Sequence, residues 1–422
     1  MTGGRGPAHV VGAGLAGLSA AIALTEAGYR VTLSEAARQA GGRCRSYHDP
    51  KLGMTIDNGN HLVLSGNRAV HAYLETIGAS DRLAGSSEAR FPYVDVRDGA
   101  RWVLHPNAGP LPWWLFAKTR RVPGTTPSDY LGLARLLRAT AGRTIGDVIP
   151  TRGPLWDRLL DNFFVSALNT PAAEGSAQLA GAIVRETLAK GGRACRPMIA
   201  EPTLAAAFVD PALAWLEAHG ATIRLGRRLR ALALSDTRIV SLDFADGREE
   251  IAPGVPTILA VPAWVAVDLV PDLVVPDQHH AIVNAHFLSP PPAGAAPVTG
   301  IIGGTAEWVF AFPDRRSTTT SAADALLADD REALATRLWA DVVAVHGGPK
   351  TLPVWQLVIE KRATFAATPE QDLRRPCAKT RWDDLFLAGD WTKTGLPATI
   401  EGALRSGRAA AACALEAKRV AR

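Results

Sequence analysis

A chain of 422 residues, 47% hydrophobic and 21% charged, has the composition of a globular protein of two or three packed units, which excludes a disordered, collagenous or coiled-coil chain. Lysine and arginine number 46 against 41 acidic residues, and this surplus of 5 contains no run resembling a nucleic-acid-binding arm; it suits an anionic cofactor or an anionic membrane surface. Cys44, Cys195, Cys377 and Cys413 form no CxxC pair, so neither a zinc site nor a disulfide framework is expected, no metal is expected, and a reducing cytoplasm fits best.

The opening MTGGRGPAHV has no apolar run and glycines cut the stretch that follows, so no export signal is expected. Nowhere do about 18 apolar residues continue without charge or proline, so any membrane contact should be peripheral. Residues 9–11 read as a strand, 14–27 as a helix and 30–34 as a second strand closing on Glu35, a βαβ unit. FPYVDVRDGARWVLHP then alternates as paired strands about Asp98-Gly99 and gives way to the cluster LPWWLF. From 128 to 188 leucine and alanine recur at helical spacing, broken at Gly153-Pro154 and Thr170-Pro171, which predicts a helical insertion. Residues 210–220 read as a helix, 222–262 as a β-rich return to the first unit, 286–312 as further strands and 331–346 as an amphipathic helix. A strand, a glycine-bearing turn and a helix fill 385–415, the proline-rich 289–297 reads as a loop, and no internal repeat is found.

The chemistry begins at Gly12-Ala13-Gly14-Leu15-Ala16-Gly17, between a strand and a helix. Gly12 permits the tight turn, Gly14 lets backbone approach a pyrophosphate, Gly17 allows close packing, and the helix N-terminus attracts phosphate. Glu35, about 20 residues on, would accept hydrogen bonds from an unphosphorylated ribose. Gly41-Gly42-Arg43 follows six residues later; the glycine pair lets the chain pass close to a cofactor and Arg43 adds a cation beside its diphosphate, which favours FAD over NAD.

With these motifs the sequence resembles the FAD-dependent amine oxidase and phytoene desaturase superfamily. Its closing motif stands here as Leu387-Ala388-Gly389-Asp390 and Pro397 to Ala403. The resemblance implies that Asp390 hydrogen-bonds the ribityl or diphosphate, that backbone near Ile400 and Glu401 stabilises charge at the flavin pyrimidine, and that the backbone of Leu229 meets adenine. The Glu401 side chain is open to two readings, solvated or in contact with the cofactor. Asp57-Asn58-Gly59-Asn60-His61, Asn169-Thr170-Pro171, 210–216, 360–364 and Gly389-Asp390-Trp391-Thr392 resemble the squalene-associated branch, the hydroxysqualene dehydroxylases of bacterial squalene and hopanoid synthesis. Where that branch carries glutamine, this chain has Asn60.

The resemblance implies an α/β fold, with a Rossmann-like FAD-binding domain from 1–85, 200–265 and 380–422. A substrate domain of mixed sheet and helices would fill 86–199 and 266–379. It implies reductive removal of the hydroxyl from hydroxysqualene, a C30 isoprenoid alcohol, with an electron donor the sequence does not identify. A carotenoid-type desaturase and an amine oxidase are the enzyme alternatives; a flavin-binding partner of a squalene synthase is the non-enzyme one. His61 and Asp57 are the catalytic candidates, His61 as a proton donor or as a hydrogen-bonded structural histidine, Asp57 as an active-site group or a backbone cap. Trp113, Trp114, Trp156, Phe163 and Phe164 read either as core or as the lining of an apolar tunnel, and 111–116 alternatively as an exposed patch that dips into lipid at the cytoplasmic face.

Overall fold

The computed structural model describes residues 5–420, so residues 1–4, part of the segment read above for an export signal, lie outside it. Five strands form one parallel sheet in the order Thr222–Arg224, Arg30–Ser34, Pro7–Val11, Thr257–Leu259, Leu385–Leu387. The inner strands are short valine, leucine and isoleucine runs buried on both faces, as a covered parallel sheet requires. Helix Leu15–Glu26 is buried almost all round and crosses helix Ile400–Val420 at backbone contact. Gly407 makes this approach possible, because a Cβ there would stand 2.2 Å from the carbonyl oxygen of Ala16.

A second, seven-stranded sheet runs in the order Trp355–Phe365, His279–Phe287, Arg316–Thr320, Trp308–Ala311, Val298–Ile302, Phe91–Asp95, Arg101–Leu104. Only Val298–Ile302 and Phe91–Asp95 pair in parallel. Leu334, Leu338, Trp339 and Val342 of helix Arg331–His346 cover one face, against Val283, Phe287, Ile301 and Val309. Tyr93, Trp102, Trp308 and Phe310 join the core of the insertion, with Trp156, Leu160 and Phe164. Smaller sheets connect the two: Pro197–Ala200 pairs with both Leu62–Leu64 and Leu83–Gly85, and the hairpin Ser46–Asp49 with Met54–Asp57 leads from the first glycine motifs toward the second sheet. The residues from 229 to 250 form a three-stranded antiparallel sheet of their own.

The insertion is less continuous than its spacing predicts. It consists of Pro127–Tyr130, Leu131–Leu136, Trp156–Leu160 running into Asp161–Leu168, and Ala177–Glu186. Asn169 ends one helix in the left-handed conformation, φ 48°, immediately before Thr170-Pro171. Among the described residues no helix is long and apolar enough to cross a membrane.

Candidate cofactor and active site

The Gly12 to Gly17 turn stands at the carboxyl edge of the parallel sheet. Gly12 has φ +105° and donates to Ser34 O at 2.7 Å, and a Cβ on Gly17 would lie 1.8 Å from Gly12 O. Gly14 differs, because a Cβ there meets nothing within 4 Å. It precedes helix Leu15–Glu26 without a side-chain cap, and the first turn, Leu15 to Gly17, has no acid. The uncapped helix start facing open space is an anion site in the making.

Glu35 is tied beside that turn: one carboxylate oxygen accepts from Ala13 N at 2.7 Å and the other from Ala37 N at 2.8 Å. Lone pairs remain on both oxygens for a further donor. Gly41 donates to Ala13 O at 2.7 Å, and Gly42 lies so close that its Cβ would stand 3.4 Å from the Gly14 Cα. Arg43 reaches across the chain to Asp390, 2.7 Å between Nη2 and Oδ2, and also donates to the Ala363 carbonyl. Leu229 is buried and begins its strand two residues after Arg227, whose N–H donates to Glu35 O at 2.7 Å. Thus the glycine turn, Glu35, the Gly41 to Arg43 turn, Asp390 and the approach to Leu229 share one rim.

The closing motif is held from behind. Gly389 N donates to Ser406 Oγ at 2.9 Å. Arg375, its side chain fully buried, donates to Asp390 O at 3.1 Å, Thr392 O at 2.5 Å and Thr394 Oγ1 at 3.0 Å, and pairs with Asp372 at 2.9 Å. Ile400 and Glu401 open the last helix. Of the two readings given above for the Glu401 side chain, solvation does not hold: it is buried, accepts from Ala69 N at 3.1 Å and Val70 N at 3.0 Å, and so caps helix Arg68–Thr76. It also pairs with Arg405 at 2.8 Å.

The two catalytic candidates separate. Asp57 is buried and accepts from Ser46 Oγ at 2.5 Å and Leu204 N at 2.9 Å, so its carboxylate is occupied in fixing the loop; burial pushes its pKa up. His61 is half-buried on the same loop, and burial, helped by the Arg43 charge, pushes its imidazole down to about 4, leaving the ring neutral at pH 7. Between them Asn60 donates to Ser317 Oγ at 2.8 Å, Thr319 Oγ1 at 3.1 Å and Thr318 O at 3.2 Å. His286 Nδ1 lies 3.0 Å from the same Ser317 hydroxyl. Of the aromatics, Trp114, Trp156 and Phe164 are core, Phe163 is half-buried and Trp113 is exposed. Arg375, Ser317 and His286 carry no sequence signal, since each meets the site only through tertiary contact.

These residues fit a flavin dinucleotide: an open backbone cradle at Gly14, a free helix start for the diphosphate, a tethered carboxylate for a ribose, and the Arg43–Asp390 pair beyond. Fold and site together define a flavin-dependent oxidoreductase. Residues 15–415 match the family described as flavin containing amine oxidoreductase. The chain is 52% identical over 407 residues to the hydroxysqualene dehydroxylase of Zymomonas mobilis subsp. mobilis, covering 96% of this chain and 98% of that one. It is 51% identical, with the same coverage, to the hydroxysqualene dehydroxylase of Sinorhizobium fredii. Its fold is similar to that of an oxidoreductase from Methanosarcina mazei, with a TM-score of 0.71 at 16% identity over 95% of this chain and 98% of the other. The chain belongs to the flavin containing amine oxidoreductases and, within them, to the hydroxysqualene dehydroxylase family; it is an FAD enzyme.

Proposed function

We propose that the chain removes the hydroxyl of hydroxysqualene reductively, giving squalene and water in bacterial squalene and hopanoid synthesis. The observation that carries this reading is half-identity over nearly the whole length to enzymes of that name. The Gly12 to Gly17 turn with the backbone of Leu15 and Ala16 would hold the diphosphate of FAD, Glu35 a ribose and the backbone of Leu229 the adenine. Gly41, Gly42, Arg43, Gly389 and Asp390 would hold the ribityl side, and backbone at Ile400 and Glu401 the pyrimidine. When bound and reduced, the flavin supplies the hydride for the carbinol carbon.

The chain's own residues supply the rest. The carbinol carbon is allylic, so once the hydroxyl has taken up a proton, drawn from solvent before the site closes over the substrate, its departure as water leaves a delocalised cation, which water would recapture unless the site is dry. The apolar core of Trp156, Phe164, Trp308 and their neighbours would back such a dry site from behind. His61, neutral at pH 7, offers the substrate hydroxyl a hydrogen bond; Asp57 acts as a positioning residue through Ser46 and Leu204. The substrate is lipid-soluble, so the enzyme works at the cytoplasmic face of a membrane by peripheral contact.

The test is anaerobic incubation of holoenzyme with hydroxysqualene and excess dithionite-reduced FAD in detergent. Squalene is the expected product. No squalene, with phytoene consumed under oxidised conditions, would assign the chain to desaturation instead.

A further inference from the structure

We propose that the tip of the insertion at Leu111, Trp113 and Phe116, with neighbouring Leu131, is a docking face for an anionic lipid bilayer. These four side chains are 62%, 67%, 68% and 66% exposed. Large apolar groups grouped in this way on a surface mark an interaction site. The tip is held rigidly outward. Trp114 is buried beneath it, edge-on to Tyr130 at 5.4 Å between ring centroids, and its backbone N–H donates to Asn107 Oδ1 at 3.1 Å. Asn107 Nδ2 in turn donates to Leu111 O at 2.9 Å, and the buried Arg121 donates to the Leu115 carbonyl. Trp113 and Phe116 stand 6.3 Å apart on the resulting turn, facing outward while Trp114 faces in.

Charge selects the occupant. Residues 105–146 contain six basic residues and one acidic residue, a surplus of five that equals the surplus of the entire chain. The single acid, Asp129, is engaged in capping, accepting from Thr126 N at 2.6 Å. Lys118, Arg135 and Arg138 are exposed, and no ion pair to any of them is found among the described residues. Aromatic side chains that can enter the interface, flanked by unpaired cations with almost no carboxylate, complement an anionic membrane surface; a protein partner is more often met by both signs of charge at the rim. The choice rests in part on the function proposed above, because a C30 alcohol is collected from lipid.

The experiment is co-sedimentation of FAD-loaded enzyme with phosphatidylcholine vesicles, with and without phosphatidylglycerol, beside turnover in detergent. Wild type should bind the anionic vesicles and release in high salt. The pair Trp113→Ala with Phe116→Ala, and separately Lys118→Glu with Arg138→Glu, should each weaken binding about tenfold or more while flavin content and detergent turnover stay unchanged. Binding of either pair equal to wild type would overturn the proposal. So would the aromatic pair converting an oligomer to a monomer with vesicle binding intact, which would make the face a contact between copies. Vesicle binding without turnover by any preparation would instead overturn the proposed reaction and leave the surface standing.

Discussion

Gly14 and Gly17 lie three residues apart in one turn, yet a side chain would meet a neighbour only at Gly17. At Gly17 the new Cβ would be 1.8 Å from the Gly12 carbonyl oxygen, so Gly17→Val should yield insoluble or unfolded protein. At Gly14, with φ −75°, nothing lies within 4 Å. Gly14→Val should therefore fold with an unchanged circular dichroism spectrum and melting curve in the absence of cofactor, yet purify colourless, because the branched side chain fills the diphosphate cradle. Full flavin absorbance in this variant would refute the fingerprint reading. Glu35→Ala should weaken FAD binding by about 1.5–3 kcal/mol, the loss of a charged hydrogen bond, read by titrating apoprotein with FAD. Part of that loss comes from the untethered Ala13 and Ala37 amides, so Glu35→Gln, which keeps an acceptor, should recover a portion.

At the scale of elements, legibility followed how local the signal is. The first βαβ unit is announced by its own glycines and valines, and the strand and helix of 385–415 by theirs. Arg316–Thr320 is the counter-example: RSTTT looks like a loop, yet all five residues are buried. Three of its four hydroxyls are satisfied, Thr319 Oγ1 donating to Asn284 Oδ1 at 2.8 Å, Ser317 Oγ to Ala285 O at 2.8 Å and Thr320 Oγ1 to Thr305 O at 3.1 Å, which lowers the cost of burying a polar strand; the Thr318 hydroxyl is buried without a partner among the described residues. The insertion misled in the other direction, since helical spacing does not reveal where proline and glycine will break it. Arg375 was invisible for a further reason: it lies between the motif residues of 360–364 and Leu387 to Asp390 without belonging to either, and its role is set by the loop it meets in space. Arg375→Leu should destabilise the protein by about 3–5 kcal/mol in urea unfolding, because Asp372 and the Asp390 and Thr392 carbonyls lose their buried donor. It should also loosen FAD, whereas a merely peripheral Arg375 would leave both unchanged.

Across the whole molecule, buried titratable groups bend the stability curve in opposite directions. Burial pushes His286 down to about 3, and His61 and His346 to about 4, from an ordinary 6.5. The unfolded chain takes up these protons near pH 6.5 while the folded chain does not, so their contribution is complete above 6.5 and is lost on acidification toward 4 for His61 and His346 and toward 3 for His286. Glu307 runs the other way. Burial raises its carboxyl from 4.5 to about 8, so its contribution is complete below 4.5 and is lost as the pH rises to 8. Between 4.5 and 6.5 the two effects oppose each other, and above 6.5 only the Glu307 limb remains of the two. His286→Asn, which retains a donor for Ser317, should flatten the acid limb by about 1.4 kcal/mol per pH unit between pH 4.5 and 6, the slope for one proton. Glu307→Gln, which leaves an acceptor for Ser321 N, should instead remove the decline between pH 6.5 and 8 and leave the histidine limb in place. Urea midpoints taken at pH steps for the two variants and wild type separate the limbs, because the carboxylates that titrate near pH 4 are otherwise common to all three. An alkaline limb equal to wild type in Glu307→Gln would mean that Glu307 is already ionised in the folded protein at neutral pH, its negative charge then held by Ser321 N and the surrounding interior.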